Sequence, residues 1–220
     1  MDKYLKNNQF EFKNQLEHID PVKLVKISEP YPGAFYERDT RQVAREILGS
    51  LLVTEIDGKT LAGFIVEAEA YMENEEGCHA YGGMTPRCEV MFGHGGMAYI
   101  YFVYGMYWCF NATTEKEGKA GAVLVRAVEP FMGIEIMRHR RRKNSILELC
   151  SGPGKLTVAF GLDKNLDGWD LSKPPFRILS LTEEFKPKFK IGKSERIGLK
   201  KARELEYRYL VAGSSFISHH

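Results

Sequence analysis

The sequence predicts an α+β domain built on a largely antiparallel sheet, and three observations carry that reading. Extended runs recur along the chain, and two pairs of them meet across the tight-turn dipeptides Asp57-Gly58 and Tyr104-Gly105. Apolar residues at helical spacing, such as Val43, Ile47 and Leu51, stand between those runs. The 220 residues contain no linker, internal repeat or low-complexity tract, so one domain over 1–220 is expected.

Taken in order, residues 1–30 are polar and charged and end in Glu29-Pro30-Tyr31-Pro32-Gly33, a turn-rich entry that reads as an arm or an ordered cap. Asp39-Thr40 supplies cap residues for a helix running to about Leu51. Strands follow at 53–56 and 61–71 around Asp57-Gly58. Residues 72–97, rich in Gly, Glu and Met without a period, form a long irregular loop of the kind that usually carries function. Two aromatic runs, 98–103 and 106–111, join through Tyr104-Gly105 as a β-hairpin. A strand at 122–128 ends at Glu129-Pro130, and 131–142 is a helix with a very basic end. Ser151-Gly152-Pro153-Gly154-Lys155 opens another helix, and short strands lie near 177–181 and 207–211.

Composition bounds the function classes. Hydrophobic residues make up 44% of the chain, enough for a core, and the formal net charge of +2 neither demands nor excludes nucleic acid. Cys78, Cys88, Cys109 and Cys150 stand apart with no CxxC pair, which supports reduced thiols in a cytosolic protein rather than a zinc site or a disulfide framework. The N-terminus lacks an apolar signal region and no uncharged run could span a bilayer, so a protein neither secreted nor membrane-bound is expected.

Chemistry gathers in three places. In Gly63-Phe64-Ile65-Val66-Glu67-Ala68-Glu69-Ala70-Tyr71, strand alternation puts Glu67, Glu69 and Tyr71 on one face, where like charges can tune a base. Alone, such a triplet reads more readily as a solvated strand face. The aromatic hairpin carries tyrosines whose hydroxyls want partners when buried; Tyr104 at the tip suits a wedge between base pairs, and Tyr71, His79 and Tyr101 offer flat faces for an extruded base. Such stripes are otherwise core. Basic runs at Arg138-His139-Arg140-Arg141-Arg142-Lys143 and from Lys186 to Arg203 could form a phosphate-binding face or simply lie in solvent. Gly152-Pro153-Gly154-Lys155 could present backbone N–H groups to a phosphate, but no Walker or GxGxxG loop is present.

The ordered set Val66-Glu67-Ala68-Glu69-Ala70-Tyr71, His79, Met91-Phe92, Tyr99-Ile100-Tyr101-Phe102-Val103-Tyr104-Gly105-Met106-Tyr107, Asn111, Val123-Leu124-Val125-Arg126-Ala127-Val128-Glu129-Pro130 and Cys150-Ser151-Gly152-Pro153-Gly154-Lys155-Leu156 resembles segments of the alkyladenine (3-methyladenine) DNA glycosylases of the mammalian type. The resemblance runs from about Tyr36 to 213–218, with 163–193 departing from it. It implies a single compact domain with a curved antiparallel sheet, flanking helices and a protruding aromatic hairpin. It further implies a monofunctional glycosylase of base excision repair, which flips alkylated or deaminated purines from duplex DNA and hydrolyses their glycosidic bond. Glu69 then matches the general base, Tyr71, His79 and Tyr101 the side chains that hold the base, and Asn111 the filter against guanine. Tyr104 matches the intercalating wedge, and Arg126 and Lys155 support the DNA backbone or the active site. No metal or other cofactor is expected. The partner is double-stranded DNA carrying damaged purines, the chain acts as a monomer without a membrane, and it works in a bacterial cytoplasm or a eukaryotic nucleus.

Overall fold

The computed structural model describes residues 10–202 and 204–218. Residues 1–9 of the entry segment, Arg203 of the second basic run and His219-His220 lie outside them. The elements are α1 (Phe12–Gln15), α2 (Pro21–Ile27), β1 (Glu29–Pro30), α3 (Gly33–Tyr36), α4 (Thr40–Glu46), β2 (Leu51–Ile56), β3 (Lys59–Met72), β4 (Ala98–Val103), β5 (Tyr107–Thr114), β6 (Gly121–Met132), α5 (Ile134–Arg141), α6 (Pro153–Phe160), β7 (Phe176–Ser180), β8 (Ile191–Ser194) and β9 (Arg208–Val211).

One antiparallel sheet in the order β1-β7-β2-β3-β6-β5-β4 curls into a half-barrel within a single α+β body. Strand β3 is its hub. Its first half pairs with β2, its second half exchanges β2 for β9 at residues 67–69, and β6 runs along its other edge. The β3–β6 register shifts on both sides of Glu67, and a bulge there re-aims side chains next to the candidate chemistry.

Local sequence explains most boundaries. Asp57 and Gly58 both take positive φ (52° and 69°), as the two-residue turn between β2 and β3 requires. Helix α4 starts under the Asp39 carboxylate, which accepts the Arg41 and Gln42 N–H groups. It ends at Glu46, earlier than the spacing of Val43, Ile47 and Leu51 suggests, because Leu51 already begins β2. Strand β6 passes through Pro130 to Met132 instead of stopping. Pro130 stands opposite Gly63 where the register shifts, so its missing N–H falls in a gap of the ladder. Phe131 and Met132 therefore belong to the sheet, and α5 starts only after Gly133.

The polar entry segment is an ordered cap from Phe10 onwards. Phe12, Leu16, Ile19, Leu24 and Val25 are buried in the core, and Phe12 stacks on Phe64 at 4.9 Å. Glu129 at the end of β6 accepts the Phe12 and Lys13 N–H groups, both at 2.9 Å, tying α1 to the sheet. The first basic run lies mostly at the surface: His139, Arg142 and Lys143 are exposed, and Arg138, Arg140 and Arg141 are half-buried. Arg140 donates to the Ala159 carbonyl at 3.2 Å, Arg141 to that of Leu149 at 3.1 Å, and Arg138 pairs with Glu135 on the surface. Arg140 and Arg141 thus cap carbonyls, and Arg140 joins α5 to α6.

Candidate active site

The site begins where β3 leaves β2 and meets β9. Glu67 and Glu69 are both wholly buried, which rules out a solvated strand face. Buried carboxylates require partners, and β6 and β9 supply them. Arg126 donates through Nε to Glu67 at 3.0 Å and through Nη1 to Glu69 at 3.2 Å. Arg208 donates to Glu67 at 2.7 Å, and Ser218 gives Glu67 both its hydroxyl and its backbone N–H. Glu67 is thus saturated by the fold.

Glu69 is bound differently. Its Oε2 accepts the Tyr71 hydroxyl at 2.8 Å as well as Arg126, and its Oε1 accepts the Ile197 backbone N–H at 2.7 Å. The carboxylate has no exposed surface. It lies directly behind Tyr71, Arg126 and Ile197, all of which line a cavity of about 340 Å³. Alternation along β3 puts Glu69 and Tyr71 on one side, and the geometry brings them within one hydrogen bond.

A smaller cavity of about 80 Å³ adjoins it, walled by Tyr71, Gly77, Cys78, His79, Tyr99, Tyr101, Asn111 and Leu199 among others. Tyr71, His79, Tyr101 and Leu199 line both. His79 meets the Tyr101 ring edge-on at 4.6 Å, and Tyr99 lies against Tyr101 at 5.3 Å. These rings pack on one another and together present aromatic surface to the cavity. Asn111 is held facing it by a hydrogen bond from Nδ2 to the Tyr99 carbonyl at 3.1 Å.

Electrostatics narrows the roles. Burial, with the Arg87 cation adding to it, lowers the His79 pKa to about 4, so the imidazole is neutral at pH 7 and shares a 2.8 Å hydrogen bond between Nδ1 and the Tyr99 hydroxyl. A neutral His79 can donate or accept a hydrogen bond but is a poor reservoir of protons. Burial, then the Glu69 charge, raises Tyr71 well above the usual phenol range, so its hydroxyl keeps its proton and donates it. Burial also pushes the Cys78 and Cys109 thiols up to about 11, leaving neither as a thiolate nucleophile at neutral pH.

Two expected contributors stand at the rim. Tyr104 is 81% exposed at the β4–β5 turn, with φ at 53° and Gly105 at 68°. Lys155 is exposed on the first turn of α6 and reaches the Ser151 hydroxyl at 3.4 Å, while its neighbours Pro153 and Gly154 line the outer cavity. Sequence reasoning passed over Ile197, Arg208 and Ser218, and it placed Arg196 in a basic surface run although it is buried. A backbone N–H leaves no trace in composition. Tyr99 was detectable, since alternation already put it on the Tyr101 face. Among the described residues, no cluster of three or more His, Cys, Asp or Glu could hold a metal ion, and no helix is long and apolar enough to cross a membrane.

Comparison with known proteins follows the same lines. The methylpurine-DNA glycosylase family matches residues 34–215. A Bradyrhizobium diazoefficiens protein is 44% identical over 193 residues, 88% of this chain and 92% of its own. One from Methanoculleus marisnigri is 44% identical, covering 85% of this chain and 97% of its own, and one from Carboxydothermus hydrogenoformans is 45% identical with the same coverage. All three names read 3-methyladenine DNA glycosylase.

Proposed function

The chain belongs to the methylpurine-DNA glycosylase family, and on that footing we propose that it is a monofunctional DNA glycosylase that flips a damaged purine out of duplex DNA and hydrolyses its N-glycosidic bond. The observation that carries the reading is Glu69, a carboxylate held by three donors immediately behind a tyrosine-lined cavity. Water adds to the anomeric carbon, its proton passes to Glu69, and the base leaves with the bonding electron pair. The carboxylate charge also stabilises the positive charge that builds on the sugar. Approach of water to Glu69 requires the Tyr71 hydroxyl to give way, so base entry and exposure of the general base are coupled through one side chain.

Tyr71, His79 and Tyr101 hold the base, Asn111 filters it, and Tyr104 fills the gap it leaves in the helix. Arg126 fixes the general base, and Lys155 sits where the DNA backbone passes the start of α6. Cationic lesions such as 3-methyladenine and 7-methylguanine leave readily and gain about 0.5–2 kcal/mol from stacking on tyrosine faces. Hypoxanthine, being neutral, must be helped by hydrogen bonding, because His79 holds no proton to give at pH 7. The chain acts as a monomer on double-stranded DNA. Single-lesion duplexes of these three kinds, analysed for free base and for strand breaks, test the reading. Release of modified purines with intact strands supports it; no release from any, or cleavage of the strand in the same step, overturns it.

A further inference from the structure

Residues 196–202 cross the mouth of the site, and their anchor is an arginine with no role so far. The Arg196 side chain has no exposed surface and forms a two-pronged ion pair with Glu75, which follows β3. Its Nη1 also donates to the Ala70 carbonyl at 2.8 Å and its Nη2 to that of Ala202 at 3.2 Å, while its Nε finds no partner among the described residues. The guanidinium lies 4.6 Å from the centre of the Tyr71 ring. The next residue, Ile197, gives its N–H to Glu69 at 2.7 Å. Two successive residues of one segment therefore grip two successive residues of β3: Arg196 holds Ala70, and Ile197 holds Glu69. Gly77 leaves room for the ion pair, since a Cβ there would stand 3.1 Å from Arg196 Nη2.

Burying an ion pair this completely is a poor route to stability compared with apolar packing. Its position explains it better. We propose that Arg196 is a positioning residue for base release: clamped by Glu75 against the back of Tyr71, it sets the Ile197 N–H on the Glu69 carboxylate and so keeps the general base aimed. The inference rests on the glycosylase reading. The charged and titratable groups facing Glu69 are Tyr71, Tyr101, Cys109, Arg126 and Arg196. Glu67 and Arg208 join through Arg126 and through each other. Of the groups that bond Glu69 directly, the Ile197 N–H follows Arg196 in the chain and the Tyr71 ring packs against it, whereas Arg126 is held from β6. A carboxylate that loses a fixed donor loses its aim, so loosening the clamp acts on base release more than on DNA binding.

The test is single-turnover base release from a hypoxanthine duplex at saturating protein, set beside binding to the same duplex. It compares wild type with Arg196→Met, Arg196→Lys, Glu75→Gln and Gly77→Ala. We expect Arg196→Met and Glu75→Gln to lower release roughly tenfold while binding stays within about threefold of wild type. Arg196→Lys should recover most of the loss, and Gly77→Ala, which keeps both charged groups, should give a smaller one. If Arg196→Met does not fold, Glu75→Gln and Gly77→Ala carry the same readout. Equal falls in binding and release, as a merely structural role would give, overturn the inference, and so does release at the wild-type rate throughout the series. A wild type that releases no base from any lesion overturns the functional reading and this inference with it.

Discussion

Replacing Arg126 with methionine probes the buried network directly. The side chain is only 7% exposed and bonds two carboxylates of zero exposure, Glu67 at 3.0 Å and Glu69 at 3.2 Å. Arg208 and Ser218 still serve Glu67 in the variant, so the loss falls chiefly on Glu69, which keeps only Tyr71 and Ile197. Removing one partner of a buried pair costs about 3–5 kcal/mol because the other charge is stranded. For a chain of this length each kcal/mol moves the melting temperature by roughly 2–4 °C, so a fall of about 6–20 °C is expected. Urea unfolding and thermal melts at low salt and at high salt would measure it, with Lys186→Met as control. That lysine pairs with Glu183 on the surface, where the change should stay below about 1 kcal/mol and respond to salt. Combining Arg126→Met with Glu69→Gln should recover part of the loss, since a neutral amide needs no cation. An Arg126→Met variant within about 1 kcal/mol of wild type, or one whose deficit high salt erases, would refute the reasoning.

Other expectations follow from the same geometry. Tyr104→Ser, at an exposed turn, should leave stability nearly unchanged and lower base release from duplex far more than from single-stranded DNA; equal losses on both would contradict the wedge. His79, neutral in the folded protein down to about pH 4 against 6.5 in the unfolded chain, contributes stability that is complete above pH 6.5 and lost as pH falls towards 4. His79→Gln should flatten that part of a urea-unfolding series, and an unchanged slope would count against its burial as a neutral group. Phe12→Ala should cost about 3–5 kcal/mol in the same assay, since Phe12 is wholly buried against Phe64; a loss below 1 kcal/mol would mean the entry segment is not part of the core.

What the sequence disclosed depended on whether the physics left a local pattern. Asp57-Gly58 announced a hairpin because few dipeptides accept two positive φ angles. Glu67, Glu69 and Tyr71 were legible as a group because strand alternation is geometric, although the bulge at Glu67 was not. Helix α1, four residues long, is too short to show a period, so a charged segment concealed Phe12 and Leu16. Arg196 and Arg141 look like solvated charge in composition, and only tertiary packing reveals that one clamps Glu75 and the other caps a carbonyl. Long-range partners such as Ile197 for Glu69, 128 positions apart, have no sequence signature of their own. Tyr71 and Arg126 declared themselves through residue type; the backbone donor that completes the set did not.

The central claim is that the Glu69 carboxylate launches water at the sugar. Glu69→Gln keeps the size of the side chain and removes its capacity as a base. Side by side, binding to a hypoxanthine duplex and single-turnover release of the base would decide the matter. Binding within a few-fold of wild type and release reduced by at least about a hundredfold are expected. Release at a rate near that of wild type would contradict it.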